Sequence, residues 1–318
     1  MQVTIGCELE GGLLTRGGLP VDTLAVLDGG KKSHIHRHEA VTSDLHLSSV
    51  ELISTICRNS DEIRTSLGRC EAMIPEGYRP IFKTRPFGPR ATIADKPRYT
   101  AIAQALLREH PKGDQCIHTV APWCSTQFHF GVPNVFSREA VLLANFLNNI
   151  TPHARLAVIK RYGVTDTEGH LAIWRGWSAE HRAPSPRWFA SPGEMERFVA
   201  GIPKVVTQKD GIWMPAEGPS RIGDLESEGT IWWLARPRGV YKTVEWRPFP
   251  SLTPEQVVDL AADVHALVCS FWDYVEAHPS ATWETREQAE RLYRHLIGSD
   301  LVPGHPLSNS EWWQLYEK

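Results

Sequence analysis

Glu245 and Arg247 stand two residues apart in the run TVEWR, with Val244 and Trp246 on the alternate positions. Successive strand side chains point to opposite faces, so the acid and the guanidinium share one face and the apolar pair takes the other. A carboxylate can hold a hard metal ion and a guanidinium can fork onto phosphate, so the pair suggests a nucleotide-phosphate site. The alternation recurs three times. IGCELE sets Glu8 and Glu10 against Cys7 and Leu9, SSVELIS carries Glu51 in an apolar run, and STQFHFGV alternates Gln127 and His129 with Phe128 and Phe130. Acidic residues are depleted from strands. One glutamate on a strand face is ordinarily just solvated, but four such strands with apolar backs point to a sheet whose concave polar face gathers divalent cations.

The elements that must position these residues follow an alternating plan. Strands are expected at Val3–Glu10, Val21–Val26, Ser49–Ser54 and Arg79–Lys83, and as a pair at Ile231–Ala235 and Thr243–Trp246. A helix over Ser60–Met73 is stopped by Pro75 and Gly77, and another runs from Pro97 to His110. Ser137 caps a helix whose apolar side holds Leu142, Leu143, Phe146 and Leu147, and Glu194–Ala200 forms a short one. Thr253 and Pro254 open a long helix, with Thr as N-cap and Pro at the first position. A last helix spans Glu284–Ile297, before a tail containing Trp312 and Trp313. Thr165–Pro192, rich in Trp, Pro and Arg, reads as an irregular packed connection.

Composition bounds the function. The 318 residues are ample for a sizeable core, and 34 basic against 37 acidic residues give a net charge of −3, with no electrostatic case for nucleic acid. No apolar stretch approaches the roughly 20 residues of a membrane span, and MQVTIGCELE lacks a secretory signal pattern, so a cytoplasmic protein is expected. Cys7, Cys57, Cys70, Cys116, Cys124 and Cys269 show no metal spacing and read as reduced thiols. His34, His36, His38 and Glu39 could in principle ligate a metal, but Lys31, Lys32 and Arg37 beside them favour a solvated loop. The Gly pairs at 11–12, 17–18 and 29–30 fit no phosphate-binding loop motif. Of the adjacent Trp232 and Trp233, which could stack on adenine, only one can face the polar side; Trp232 is the candidate.

Taken together, these residues resemble a known family. GCELE matches its G-x-E-x-E strand, SDLHLSSVELIS its acid-x6-V-E segment and QFHFGV its H-x-H-x-G-V strand. IWWLARP, six residues and VEWR match its I-W-W-x-x-R-P and L-E-F-R block without a gap, and SPRWFASPGEMERFVAGI looks like its P-x-F-x-S-x-x-E-Y-E-x-x-V stretch. The family is the carboxylate–amine ligases related to glutamate–cysteine ligase, and the resemblance runs collinearly from about Val3 to about Val275. It implies an α+β, glutamine synthetase-like fold: a curved, mostly antiparallel sheet with a concave active-site face and helices packed outside. It also implies a single catalytic domain over residues 1–318, with a helical tail from about 283. The implied activity is ATP-dependent joining of a small-molecule carboxylate and amine into an amide, a γ-glutamyl bond being one form, through an acyl phosphate with Mg2+ or Mn2+. Glu8, Glu10, Glu51 and Glu245 match the family's metal-binding acids, and Asp44 matches a family Glu as a shorter equivalent. His129 matches the second His of the H-x-H strand and would touch metal or phosphate. Arg247 would stabilise phosphate, and Arg236 would meet substrate carboxylate or phosphate. An open sheet edge leaves a homodimer open.

The chain departs from the pattern at three points. Gln127 replaces the first His, Leu234 stands where an Asp usually follows the Trp pair, and Pro248 follows EWR where an acid is expected. These changes fall on the substrate side, so the expectation is that phosphoryl activation is kept with altered substrates. A phosphotransferase that stops at the phosphorylated product, and a non-catalytic relative that binds nucleotide or amino acid, remain as alternatives.

Overall fold

A computed structural model describes residues 3–27, 39–87, 92–165, 171–172, 175–176, 181–184, 187–210 and 212–279. The expected last helix, the Trp312 and Trp313 tail, His34, His36 and His38 lie outside the described residues, as does much of the Thr165–Pro192 connection.

Among the described residues the main sheet has seven strands. These are β1 (Ile5–Thr15), β2 (Ala40–Thr42), β3 (Ser49–Ile53), β4 (Tyr78–Ile81), β5 (Ser125–Gly131), β8 (Ala235–Arg238) and β9 (Thr243–Pro250). The order is β2-β3-β1-β5-β9-β8, and every pairing is antiparallel. β5 pairs with Ile5–Leu9 of β1, and β4 takes over at Gly12–Thr15. Gly11 and Gly12 therefore lie inside β1, which runs five residues past its expected end. A Cβ on Gly12 would meet the Phe87 ring at 2.5 Å, so a glycine lets that ring close on the strand.

Period-2 alternation sets the two faces. Ile5, Cys7 and Leu9, Val50 and Leu52, Phe128 and Phe130, and Val244 and Trp246 all enter one hydrophobic core. Trp246 and Phe249 are three residues apart, yet both reach this core, because the β5–β9 register shifts between Thr126 and Phe128. Each fully buried side chain of this size contributes about 1.5–3 kcal/mol relative to exposure. Three helices supply the facing layer: α2 (Ser60–Ala72), α5 (Arg138–Tyr162) and α8 (Pro254–Ala277). Asn59 caps α2, Ser137 caps α5, and Thr253 forms a reciprocal capping box with Gln256 on α8.

The remaining elements border the polar face. α3 (Pro97–Glu109) and α4 (Gly113–Val120) pack with Val205, Val206 and Trp232 into a second core. The hairpin β6 (Val206–Lys209) and β7 (Ile212–Pro215) adjoins them, and α6 (Pro192–Gly201) contributes to a third cluster. So α3 flanks the polar side instead of the outer one.

Two expected strands are corrected. Val21–Val26 contains the one-turn helix α1 (Thr23–Val26), because the Asp22 carboxylate accepts from the N–H groups of Leu24 and Ala25. Ile231–Leu234 is not strand, and β8 begins at Ala235. The N–H groups of Thr230, Ile231 and Trp232 donate to Ser227, Glu228 and Arg182, which leaves no sheet ladder to join. The short helix α7 (Leu225–Glu228) leads into this turn.

Candidate active site

The register lines up the polar residues across five neighbouring strands. Glu51 of β3 lies opposite Glu10 of β1, and Glu8 opposite Gln127 of β5. His129 lies opposite Glu245 of β9, and Glu245 opposite Arg236 of β8. These are directly facing pairs on one face, so the band is a consequence of strand alternation combined with register. A cleft of about 250 Å³ opens over it. Its lining includes Glu8, Glu10, Asp44, Glu51, Gln127, Trp232, Arg236, Glu245 and Arg247. Trp232 thus borders the cleft, whereas Trp233 packs away from it with Phe189 and donates its indole N–H to the carbonyl of His181.

His129, Glu8 and Glu245 form the tightest cluster, each offering a ligand atom within 4.8 Å of the others. The His129 Nδ1 lies 3.1 Å from Thr243 Oγ1. Its Nε2 is buried and lies 3.2 Å from Glu8 Oε1, an ion pair when the ring is protonated. A buried imidazole nitrogen set between two carboxylates fits a metal ligand. Burial pushes the Glu8 carboxyl up, but His129 outweighs it and leaves the group below its usual range.

Glu245 is fully engaged. Arg236 Nε donates to Oε2 at 2.8 Å, Arg238 Nη1 to Oε2 at 2.7 Å, and Arg236 Nη2 to Oε1 at 3.3 Å. Arg247 approaches Oε1 at 3.6 Å. Burial alone would raise this carboxyl, yet the three guanidiniums hold it well below the carboxylate range. Burial in turn pulls Arg236 down to about 10, against the attraction of Glu245.

The other end of the band is rich in acids. Glu10 accepts from Ser125 N–H at 2.7 Å, Ser125 Oγ at 2.9 Å and Gln127 Nε2 at 2.7 Å. Gln127, which replaces a histidine of the resembled pattern, therefore orients Glu10. Burial and the neighbouring Asp44 push Glu10 up to about 8, in spite of Arg247 and those donors. A cation bound beside Glu10 would reverse that logic, as expected of a carboxylate set suited to one. Asp44 accepts from the Tyr99 hydroxyl at 3.1 Å, and burial with Asp44 beside it raises Tyr99 well above a phenol's usual value.

All nine candidate residues thus border the cleft or its floor, with His129 joined to it through Glu8. Among the cleft residues not foreseen are Arg238, Tyr241, Lys96, and Arg98 and Tyr99 of α3. Arg238 is two residues from Arg236 and shares its strand face, a signal hidden by placing the strand four residues too early. Two other expectations find structural roles. Glu39 is buried away from the cleft, bonded to Ser66 Oγ at 2.7 Å and paired with Arg69. Leu234 is buried, and its carbonyl accepts from Arg247 N–H at 2.9 Å, which helps fix Arg247.

No protein-family model matches the chain, and no curated protein does. Solved structures do. A glutamate–cysteine ligase from Francisella tularensis, in complex with AMP, is similar at TM-score 0.53 and 11% identity over 96% of this chain and 72% of that one. A bifunctional glutathione synthetase from Pasteurella multocida is similar at TM-score 0.49 and 16% identity, over 93% of this chain but only 41% of that one. The chain therefore spans less than half the length of the Pasteurella protein. What the first likeness establishes is a shared fold, of mixed α/β class with an antiparallel sheet.

Proposed function

We propose that this chain is an ATP-dependent carboxylate–amine ligase of the glutamine synthetase-like fold, joining a small-molecule carboxylate and a small-molecule amine. The observation that carries the reading is the continuous band of acids, His129 and arginines over five paired strands with apolar backs. The fold shared with a glutamate–cysteine ligase is consistent with it.

The chemistry needs such a band. A carboxylate is a poor acylating agent at neutral pH. Transfer of a phosphoryl group from ATP to a carboxylate oxygen makes an acyl phosphate. The amine nitrogen then attacks the carbonyl carbon, the carbon–oxygen bond to phosphate breaks, and inorganic phosphate leaves with the amide formed. Glu8, His129 and Glu245 would hold one divalent cation, with Glu10, Glu51 and Asp44 as the acids around a further one. Mg2+ or Mn2+ bound there would supply positive charge against the phosphates. Arg247 is partly exposed and makes only a long contact to Glu245, so its guanidinium is the one best placed for a phosphoryl oxygen. Arg236 is buried on Glu245, which favours a positioning role over contact with substrate. Trp232 offers a ring at the cleft wall for adenine.

One observation favours a second reading, a non-catalytic nucleotide- or amino-acid-binding relative: Glu245 is already saturated by arginine. Phosphate release from Mg-ATP, with pooled amino acids and small amines and mass spectrometry of the products, separates the two. Release that needs both a carboxylate and an amine, with a condensed product mass, supports the ligase. A phosphorylated product without an amide indicates a phosphotransferase, and tight ATP binding without release indicates the binding relative.

A further inference from the structure

Arg238 has no part in the chemistry above, yet it is buried at the centre of the site. Its guanidinium bridges two carboxylates, with Nη1 donating to Glu245 Oε2 at 2.7 Å and Nε to Glu228 Oε2 at 3.1 Å. Its far end is anchored. The other oxygen of Glu228 accepts from the N–H groups of Gly223 at 2.7 Å and Gly239 at 2.6 Å, so Glu228 cannot turn away from Arg238 without losing both. The Tyr241 ring closes over the guanidinium at 4.8 Å.

The near end sits where a cation would draw on Glu245. Oε2 of Glu245 already takes one bond from Arg236 and one from Arg238. Glu8, Glu228 and Glu245 face Arg236, Arg238 and Arg247, so three carboxylates are balanced by three guanidiniums before any metal arrives. A divalent ion between Glu8, His129 and Glu245 would have to share Glu245 with Arg238 and sit beside its charge, in a buried setting where like charges repel strongly.

Resting on the reading of this face as a cation and phosphate site, we infer that Arg238 is a built-in cation that competes with a divalent ion for Glu245. The Glu8–His129–Glu245 cluster therefore binds metal weakly while Arg238 is in place. Removing the Arg238 charge converts the cluster into a tight site. Arg238 is in this sense a positioning residue, since it sets which part of the band takes metal.

The test is titration of the full-length protein with Mn2+, following free Mn2+ by electron paramagnetic resonance, with no turnover required. Arg238→Gln should gain one Mn2+ bound at least about tenfold more tightly than any the wild type holds at this cluster. Adding His129→Ala should abolish the gain, and Arg238→Lys, which keeps the charge, should titrate as the wild type does. An Arg238→Gln protein with no gained site overturns the inference. His129→Ala in the otherwise wild-type chain gives an independent arm: it should remove a weak Mn2+ site only, and loss of a tight one overturns the inference even if Arg238→Gln does not fold. A protein that behaves as expected with Mn2+ yet ligates nothing would defeat the proposed function alone.

Discussion

Glu8 and Glu245 carry unequal structural burdens. Glu245 is buried and holds two buried guanidiniums, so Glu245→Gln leaves Arg236 and Arg238 short of their counter-charge. Breaking a buried pair in this way costs about 3–5 kcal/mol. That substitution is expected to remove ATP turnover and to lower the melting temperature together. Glu8 is more exposed, and its nearest partner is the His129 ring. Glu8→Gln should therefore reduce turnover on the order of 10²-fold, a loss typical of one missing electrostatic contact, with little change in thermal melting. Steady-state kinetics and a melt on both variants check the contrast. Turnover at the wild-type rate in Glu8→Gln would remove the cluster from the chemistry.

At the scale of elements, the cleft depends on how α3 is tied to the turn before β8. Glu109, the last residue of α3, accepts from Arg182 Nε and Nη2, both at 2.8 Å. Arg182 also donates to the carbonyls of Thr230 and Pro203, and its own carbonyl accepts from Trp232 N–H. Burial would raise the Glu109 carboxyl, but His181 and Arg182 hold it down at about 2, below its ordinary 4.5. A depressed acid stabilises the folded state fully above its unfolded value and loses that contribution as pH falls through the folded one. The gap in melting temperature between wild type and Glu109→Gln should thus be full at neutral pH and shrink from about pH 4.5 toward pH 2. A gap independent of pH would contradict the clamp. The β8–β9 hairpin carries a second constraint. A Cβ on Gly239 would lie 2.5 Å from Gly223 N and 2.7 Å from its Cα, and backbone cannot yield as a side chain can. Gly239→Ala should cost about 1–3 kcal/mol in a denaturant melt. Gly193→Ala, whose nearest contact is the flexible Arg197 side chain at 3.5 Å, should be close to neutral.

These elements also show what the sequence makes legible. The faces of β1, β3, β5 and β9 follow from alternation, because burial of one face forces a period of two on the chain. The caps at Ser137 and Thr253 were readable because one side-chain oxygen decides each helix start. Thr23–Val26 was not, since four residues are too few to show a helical period. Ile231–Leu234 is uniformly apolar because its side chains serve different clusters, Trp232 one and Trp233 another, so no period marks it. That misplacement also hid Arg238. The β6–β7 hairpin did leave a signal, the Asp210-Gly pair between two short runs, with Asp210 at φ 53° as a two-residue turn requires. The arginine saturation of Glu245 was beyond reach of the sequence, because it depends on the side-chain conformations of three residues on two strands.

At the scale of the whole molecule, one antiparallel sheet separates an apolar face under α2, α5 and α8 from a polar face flanked by α3. Net charge is −3, and no described helix is long and apolar enough to cross a membrane. In the proposed function, this polar face activates a carboxylate by phosphorylation. The most direct test incubates the protein with Mg-ATP, small amines and a pool of amino acids whose carboxylates carry 18O, and analyses the released phosphate by mass spectrometry. An acyl phosphate passes one carboxylate oxygen to phosphate when the amine displaces it, so the released phosphate should bear one 18O and form only when amine is present. Unlabelled phosphate, or none in any pool, would contradict it.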